Sequence, residues 1–201
     1  MGDGAGLTIV FNGEIYNHEA LRSGLAADGQ LFRTQSDTEV ILHLYRRHGP
    51  AMLDMLRGMF ALAIYDARDG SLFLARDPYG IKPVYYADDG EMLRFASSVR
   101  ALAKGRVSSG MSDAALAGFL MLGTVPEPYT ILKAVKALPA GHYLNVKDGV
   151  VGTPICWFSL AERMIPAEVE RPLSSEEILH ALHPSLASGI VAATPVGLFL
   201  S

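Results

Sequence analysis

Hydrophobic positions along the chain follow two different periods, and each change of period marks the boundary of a predicted element. Leu7–Phe11 is a short apolar run with β-branched residues, which predicts a buried strand. Apolar residues then recur at helical spacing, so a helix is predicted from its cap at Asn17 to about Ala27. The Asn12-Gly13 pair is therefore expected where the strand ends and a helix begins.

A second helix is predicted after Ser36, which forms a capping-box pattern with Glu39. Its expected inner face carries Val40, Ile41, Leu44 and Tyr45, and Gly49-Pro50 ends it. Later strands are predicted at Met59–Tyr65, Ser71–Ala75, Val84–Ala87 and Met92–Ala96, with short helices at Ser98–Ala103 and Asp113–Leu122 and a further β region at Val135–Trp157.

Composition changes near the C-terminal end of this β region. Ser159–Pro172 has mixed charge and two prolines, which is typical of a linker. A helix is predicted after Ser174, followed by a strand at Val196–Leu200. The chain is therefore divided into residues 1–158, a linker at 159–173 and a second unit at 174–201.

Bulk composition narrows the classes of partner. The 201 residues are 50% hydrophobic and 19% charged, with a net charge of −4, which predicts a globular chain and disfavours nucleic acid or an anionic membrane as partner. No apolar run approaches the ~20 residues of a bilayer span. A single cysteine, Cys156, suits a reducing compartment, so a cytoplasmic location is expected.

Two short polar patterns are candidates for chemistry. The side-chain amide of Asn12 and the N–H of Gly13 can point at one oxygen, as an oxyanion hole requires, although Asn-Gly is also a common β-turn. Asp37 lies in the first turn of a helix, where a carboxylate stabilises the helix dipole or pairs with a substrate ammonium. Taken one at a time, these residues leave both alternatives open.

Several separated motifs together resemble a known family. They are Asn-Gly-Glu-Ile-Tyr-Asn from Asn12, Ser-Asp-Thr-Glu from Ser36, Arg-Gly-Met-Phe-Ala from Arg57, Arg76-Asp77 with Gly80-Ile81-Lys82-Pro83, and Phe95-Ala96-Ser97. Their order resembles the class II, or N-terminal-nucleophile, glutamine amidotransferases, and within them the asparagine synthetase branch. The resemblance covers nearly the whole chain.

The resemblance implies an α+β fold, an incomplete αββα sandwich of the N-terminal-nucleophile hydrolase type. The first helix and strand of an α/β ATP-pyrophosphatase-like domain would follow. It implies that Asn12 and Gly13 form the oxyanion hole and that Glu14 and Asp37 hold glutamine. Phe199, Leu200 and Ser201 would form the edge of an ATP site. In such enzymes glutamine supplies ammonia for amidation of aspartate, with ATP and Mg, and the full-length form can be a homodimer; no metal ligand is expected in this chain.

The chain departs from the family pattern at its first residues. It starts Met1-Gly2 where the family has Met-Cys, and the internal Cys156 has no α-amine to serve as its base, so it is interpreted as a buried apolar residue. The expectation is a fragment, truncated at both ends and inactive alone. Two alternatives remain: a non-catalytic decayed paralogue that acts as a binding protein, or a sibling synthetase with another carboxylate substrate.

Overall fold

Two antiparallel sheets carry the strands of the computed structural model, which describes residues 1–105, 107–108, 110–164 and 173–189. The strands are β1 (Leu7–Ile15), β2 (Gly58–Asp66), β3 (Ser71–Arg76), β4 (Tyr85–Asp88), β5 (Leu93–Ala96), β6 (Lys136–Ala137), β7 (His142–Lys147), β8 (Val150–Val151) and β9 (Ile155–Cys156). The helices are α1 (His18–Ala27), α2 (Asp37–His48), α3 (Val99–Lys104), α4 (Asp113–Leu122), α5 (Leu160–Arg163) and α6 (Ser175–Gly189), with a 3-10 helix at Gly49–Met55.

The sheets and helices form four layers. The larger sheet has the order β1-β2-β3-β7-β8, with β9 also on β7, and the smaller has the order β5-β4-β6. Alternate residues of β2 enter different cores: Phe60 packs with α2, whereas Ala61 packs between the sheets with Val84 and Tyr86. A third cluster joins Leu102 of α3 to the outer face of the smaller sheet. The predicted α+β class and αββα layering are confirmed.

The hydrophobic periodicity of α2 predicts which face of the helix packs against the core. Three residues of its predicted inner face, Val40, Ile41 and Leu44, are buried, and Tyr45 is partly buried against the same core. The capping box is only half formed: Ser36 accepts a hydrogen bond from the N–H of Thr38, but the Glu39 carboxylate does not return to Ser36. It instead accepts from the preceding loop, because two free N–H groups of that loop lie within its reach.

Strand β1 is longer than the hydrophobic pattern predicts. The expected end at Phe11 is wrong, since the strand continues to Ile15 and Asn12-Gly13 lies inside it. Asn12 is opposite Ala61 and Gly13 is opposite Phe60 in the register with β2. Pairing with a second strand overrides the local preference of Asn-Gly for a turn.

Helix α1 begins after Asn17, as predicted, but the Asn17 side chain does not cap it. Its amide donates to the carbonyl of Met55 at 3.0 Å and accepts from the N–H of Arg57 at 2.9 Å. Asn17 therefore joins the end of β1 to the start of β2. None of the helices in the described part of the chain is long and apolar enough to cross a membrane.

The C-terminal predictions are tested only in part. Helix α5 lies within the segment interpreted as a linker, and the predicted helix after Ser174 is present as α6. Ser174 and Glu177 form a complete capping box, with reciprocal bonds of 2.8 and 3.2 Å. The expected strand at 196–200, together with Phe199, Leu200 and Ser201, lies outside the described residues.

A single buried carboxylate organises the loop after β3. Asp77 is fully buried, and its Oδ1 accepts from the N–H groups of Tyr79 and Ile81, each at 3.0 Å. Its Oδ2 accepts from Lys82 at 2.9 Å and from Phe60 at 3.2 Å. The Asp77 side chain thus fixes the loop and ties it to Phe60, near the start of β2.

Substitution Asp77→Asn should lower the free energy of unfolding by roughly 2–4 kcal/mol, because the NH2 of the buried amide would face N–H donors, one of which, that of Phe60, is itself buried. Urea denaturation measures the change. Asp88→Asn is the matched control, since Asp88 is exposed and its side chain accepts from one N–H, that of Gly90. Equal denaturation midpoints for the two variants would contradict this role of Asp77.

Helix α4 presents large apolar side chains to solvent. Ala115 is its one buried residue, whereas Leu120 and Met121 are 76% and 82% exposed, and Phe119 and Leu122 are also exposed. Contiguous apolar surface of this kind promotes association.

The double substitution Leu120→Lys/Met121→Lys should therefore reduce self-association without loss of stability, because neither side chain contributes to a core. Sedimentation velocity at increasing concentration measures association. Val150→Lys, at an exposed position on β8, is the control for added charge. An unchanged concentration dependence in the double variant would rule out α4 as the associating surface.

Candidate functional site

Even-numbered residues of β1 direct their backbone groups toward β2. The N–H of Tyr16, just beyond the strand, donates to the carbonyl of Arg57 at 2.7 Å. At the other end the N–H of Ala67 donates to the carbonyl of Gly6 at 2.9 Å. Antiparallel pairs alternate between bonded and non-bonded, so odd-numbered residues of β1 point to the outer edge.

Three of those outward N–H groups have partners. The N–H of Leu7 donates to Oδ1 of Asp3 at 3.1 Å. The N–H of Ile9 donates to the carbonyl of Met1 at 2.8 Å, because the first residues fold back beside β1. The N–H of Ile15 donates to Oδ2 of Asp37 at 3.1 Å. The outer edge of β1 is therefore occupied at both ends.

The edge is open between the contacts at Ile9 and Ile15. Within the described residues, no hydrogen bond involves the outward N–H of Phe11 or of Gly13. Gly13 directly follows Asn12, whose side chain carries a second donor. This stretch of β1 therefore has backbone and side-chain N–H groups that other described residues do not fully use. Their role as an oxyanion hole stays a prediction.

Gly13 is required by the close approach of β1 to β2. A Cβ atom on Gly13 would lie 2.1 Å from the carbonyl oxygen of Met59, and one on Gly58 would lie 2.1 Å from that of Glu14. Both distances are far shorter than any tolerated contact, so both positions need glycine. The glycine of the Asn-Gly pair thus serves strand packing as well as the site, and its role as a turn residue is wrong.

Asn12 projects from the face of β1 that meets the smaller sheet. Its Nδ2 donates to Oγ of Ser97 at 3.3 Å, and it borders a cavity of about 110 Å³ lined by Val10, Ala61 and Phe95 among others. Ser97 is a contact that residue-by-residue reasoning missed, although the Phe95-Ala96-Ser97 motif was the available signal. A larger cavity, about 550 Å³, lies between the N-terminal residues and α2 and contains none of the predicted site residues.

Glu14 lies two residues beyond Asn12, so alternation places it on the same face of β1. It is partly exposed, and its side chain makes no hydrogen bond or ion pair with the described part of the chain. Its carboxylate is therefore available to a ligand, but the structure does not bring it into contact with Asn12 or Asp37.

Asp37 is positioned by the N-terminus of α2. One carboxylate oxygen binds the N–H of Ile15, and the other lies 3.4 Å from the hydroxyl of Ser36 and 3.3 Å from that of Thr38. Asp37 is partly exposed. The carboxylate therefore stays next to the open edge of β1, one outward position beyond Gly13.

The loop that leads to Asp37 is held by Glu39. The Glu39 carboxylate accepts hydrogen bonds from the N–H of Arg33 at 2.8 Å and from the N–H and hydroxyl of Thr34, both at 2.7 Å. Burial would raise the pKa of Glu39, but these bonds outweigh burial and lower it from 4.5 to about 2. Arg22 adds bonds to the carbonyls of Thr34 and Ser36.

The lowered pKa of Glu39 makes the free energy of unfolding depend on pH. The native state favours the ionised form of Glu39. The stability that this carboxylate contributes is therefore complete above about pH 4.5 and is lost as the pH falls toward about 2. Substitution Glu39→Gln should remove on the order of 2–3 kcal/mol at pH 7 and flatten the pH dependence of unfolding in that window. Urea denaturation from pH 2 to 7 measures both, with the exposed Glu91→Gln as control. A parallel pH profile for Glu39→Gln and the unsubstituted chain would contradict the assignment.

The one cysteine of the chain lies away from this edge. Cys156 is on β9, which pairs with β7, and β2 and β3 separate β7 from β1 in the sheet. It is exposed, with its thiol 3.4 Å from the carbonyl of Phe158, so the expectation of a buried residue is wrong. Short strand β9 leaves its side chain at the sheet margin. Cys156 therefore contributes nothing to the site at Asn12.

Comparison with known proteins identifies the family of the chain. A family profile described as a glutamine amidotransferase domain matches residues 2–157. An asparagine synthetase (glutamine-hydrolysing) of Bacillus subtilis is 37% identical over 96% of the chain, and asparagine synthetase B of Escherichia coli is 34% identical over 96%. The chain spans 30% of the length of each relative. Glutamine phosphoribosylpyrophosphate amidotransferase from B. subtilis has a similar fold, with a TM-score of 0.54 and 23% identity, over 80% of this chain and 30% of that one.

Proposed function

The chain belongs to the glutamine amidotransferase domain family, and from that premise we propose that the outer edge of β1 binds L-glutamine. Asn12 and the N–H of Gly13 take the oxygen of the side-chain amide, and Asp37 takes the α-ammonium group. Glu14, which has an available carboxylate on the adjoining face, provides a second contact for the amino-acid end.

One observation carries this proposal: the unpaired N–H of Gly13 lies one outward position from the residue that Asp37 binds. Successive outward positions on a strand are separated by about 7 Å. A ligand that reaches both groups needs an amide oxygen at one end, an ammonium at the other and a short flexible chain between them. Glutamine has these features, whereas asparagine is one methylene shorter.

The chemistry available at this edge is stabilisation of negative charge on the amide oxygen. As a nucleophile adds to the amide carbon, the oxygen gains charge, and hydrogen bonds from Asn12 and Gly13 strengthen with it. The nucleophile is not assigned to Cys156, which lies across the sheet. For the residues of this chain we therefore propose that they bind glutamine and polarise its amide. A second candidate function is binding without hydrolysis, because two strands separate Cys156 from the Asn12 site.

At the level of the whole protein, we propose that glutamine bound here serves an asparagine synthetase, with ATP, Mg and aspartate as the other reactants and a homodimer as its assembly. The names of the relatives, which are glutamine-hydrolysing asparagine synthetases, support the use of glutamine and the asparagine synthetase part of this proposal. The proposal includes a glutamine unit at 1–158, a linker at 159–173 and the start of the ATP-binding unit at 174–201. Phe199, Leu200 and Ser201 remain proposed residues for the ATP edge.

Isothermal titration of the 201-residue chain with L-glutamine tests the site. Asp37→Asn should weaken binding about ten- to a hundredfold, because it keeps an acceptor for Ile15 but removes the charge that pairs with the ammonium. Asn12→Ala should weaken it about three- to tenfold through loss of one neutral hydrogen bond.

Asn145→Ala is the control for loss of an asparagine side chain, because Asn145 is exposed on β7. It should bind glutamine as the unsubstituted chain does, and L-asparagine should bind more weakly than glutamine to both. The proposal fails if glutamine does not bind, or if Asp37→Asn binds it with unchanged affinity.

A further inference from the structure

We propose that Ser97 is a positioning residue that orients the side-chain amide of Asn12 toward the ligand. The inference rests on the proposed glutamine site and extends it to the second sheet. Ser97 directly follows β5, and the two residues are 85 positions apart in sequence. The contact is therefore made only when the two sheets are stacked.

The contact assigns the two hydrogens of the Asn12 amide. Nδ2 donates one hydrogen to Oγ of Ser97 at 3.3 Å, which leaves the second for another acceptor. An amide that turned by half a rotation would present its oxygen to the ligand, where it would repel a developing negative charge. In the structure Ser97 accepts one Nδ2 hydrogen, which holds the Asn12 side chain beside it with the second Nδ2 hydrogen free for a ligand oxygen.

The packing of the two sheets determines how far the Ser97 side chain lies from that of Asn12. Phe95 and Ala96, which precede Ser97, line this cavity together with Ala61, the residue opposite Asn12 on β2. Because packed apolar contacts fix the end of β5, the Ser97 hydroxyl is delivered to one place beside Asn12. The smaller sheet thereby contributes to the site without contacting the ligand.

The exposure of Asn12 and Ser97 predicts that a positioning role of Ser97 can be distinguished from a contribution to stability. Asn12 and Ser97 are both exposed, so the hydrogen bond between them adds little to stability. Loss of the Ser97 hydroxyl should consequently change ligand affinity and the Asn12 amide without changing the thermal midpoint. Ser98 provides a matched control, since it is also exposed and makes no side-chain capping bond at the start of α3.

The experiment compares Ser97→Ala, Ser97→Thr and Ser98→Ala in the 201-residue chain. Titration with L-glutamine gives the dissociation constant, and ¹⁵N correlation spectra follow the Asn12 side-chain amide, assigned by its loss in Asn12→Asp. We expect Ser97→Ala to raise the dissociation constant about three- to tenfold and to shift the Asn12 side-chain resonances. Ser97→Thr, which keeps the hydroxyl, should restore both, and Ser98→Ala should change neither.

Unchanged glutamine affinity in Ser97→Ala would overturn this inference while leaving the glutamine site intact, and so would an equal loss in Ser98→Ala. If the unsubstituted chain does not bind glutamine, the proposed function itself fails. The Asn12 resonances then test whether Ser97 contacts the Asn12 amide, since unchanged side-chain signals in Ser97→Ala would overturn that contact as well.

Discussion

The register of β1 against β2 is the constraint on which the site depends. In this register the backbone N–H and C=O groups of even-numbered β1 residues bond to β2, and those of odd-numbered residues face the outer edge. A shift by one residue would bury the N–H of Gly13 in the ladder and move Asn12 to the helical face. Register therefore determines which donors a ligand can reach.

Two features hold that register in place. Gly13 and Gly58 let the strands approach at a spacing that no other residue permits, and Asp77 binds the N–H of Phe60, the residue opposite Gly13. The fold thus places a close strand contact and a buried, fully hydrogen-bonded carboxylate directly behind the open edge. A rigid strand there lowers the entropy cost of ordering the donors when a ligand binds.

Local periodicity predicted much of the fold, and long-range contacts account for what it missed. The face of α2 followed from spacing alone, because the side chains of one helix turn determine which face is apolar. The continuation of β1 through Asn12 could not be read locally, since it depends on pairing with β2, and Ser97 lies too far along the chain to be associated with Asn12. Glu39 left its capping box because donors in the loop before α2 competed for its carboxylate. The Asn12 and Gly13 assignment came from several motifs together, and the glutamine role of the site remains a proposal.

Hydrogen exchange at individual backbone amides of β1 tests the open edge most directly. The account predicts that Gly13 and Phe11 exchange rapidly while Asn12, Glu14 and Ile15 are protected, and that L-glutamine slows exchange at Gly13. Protection of Gly13 equal to that of Asn12 without ligand, or exchange at Gly13 that glutamine leaves unchanged, would contradict it.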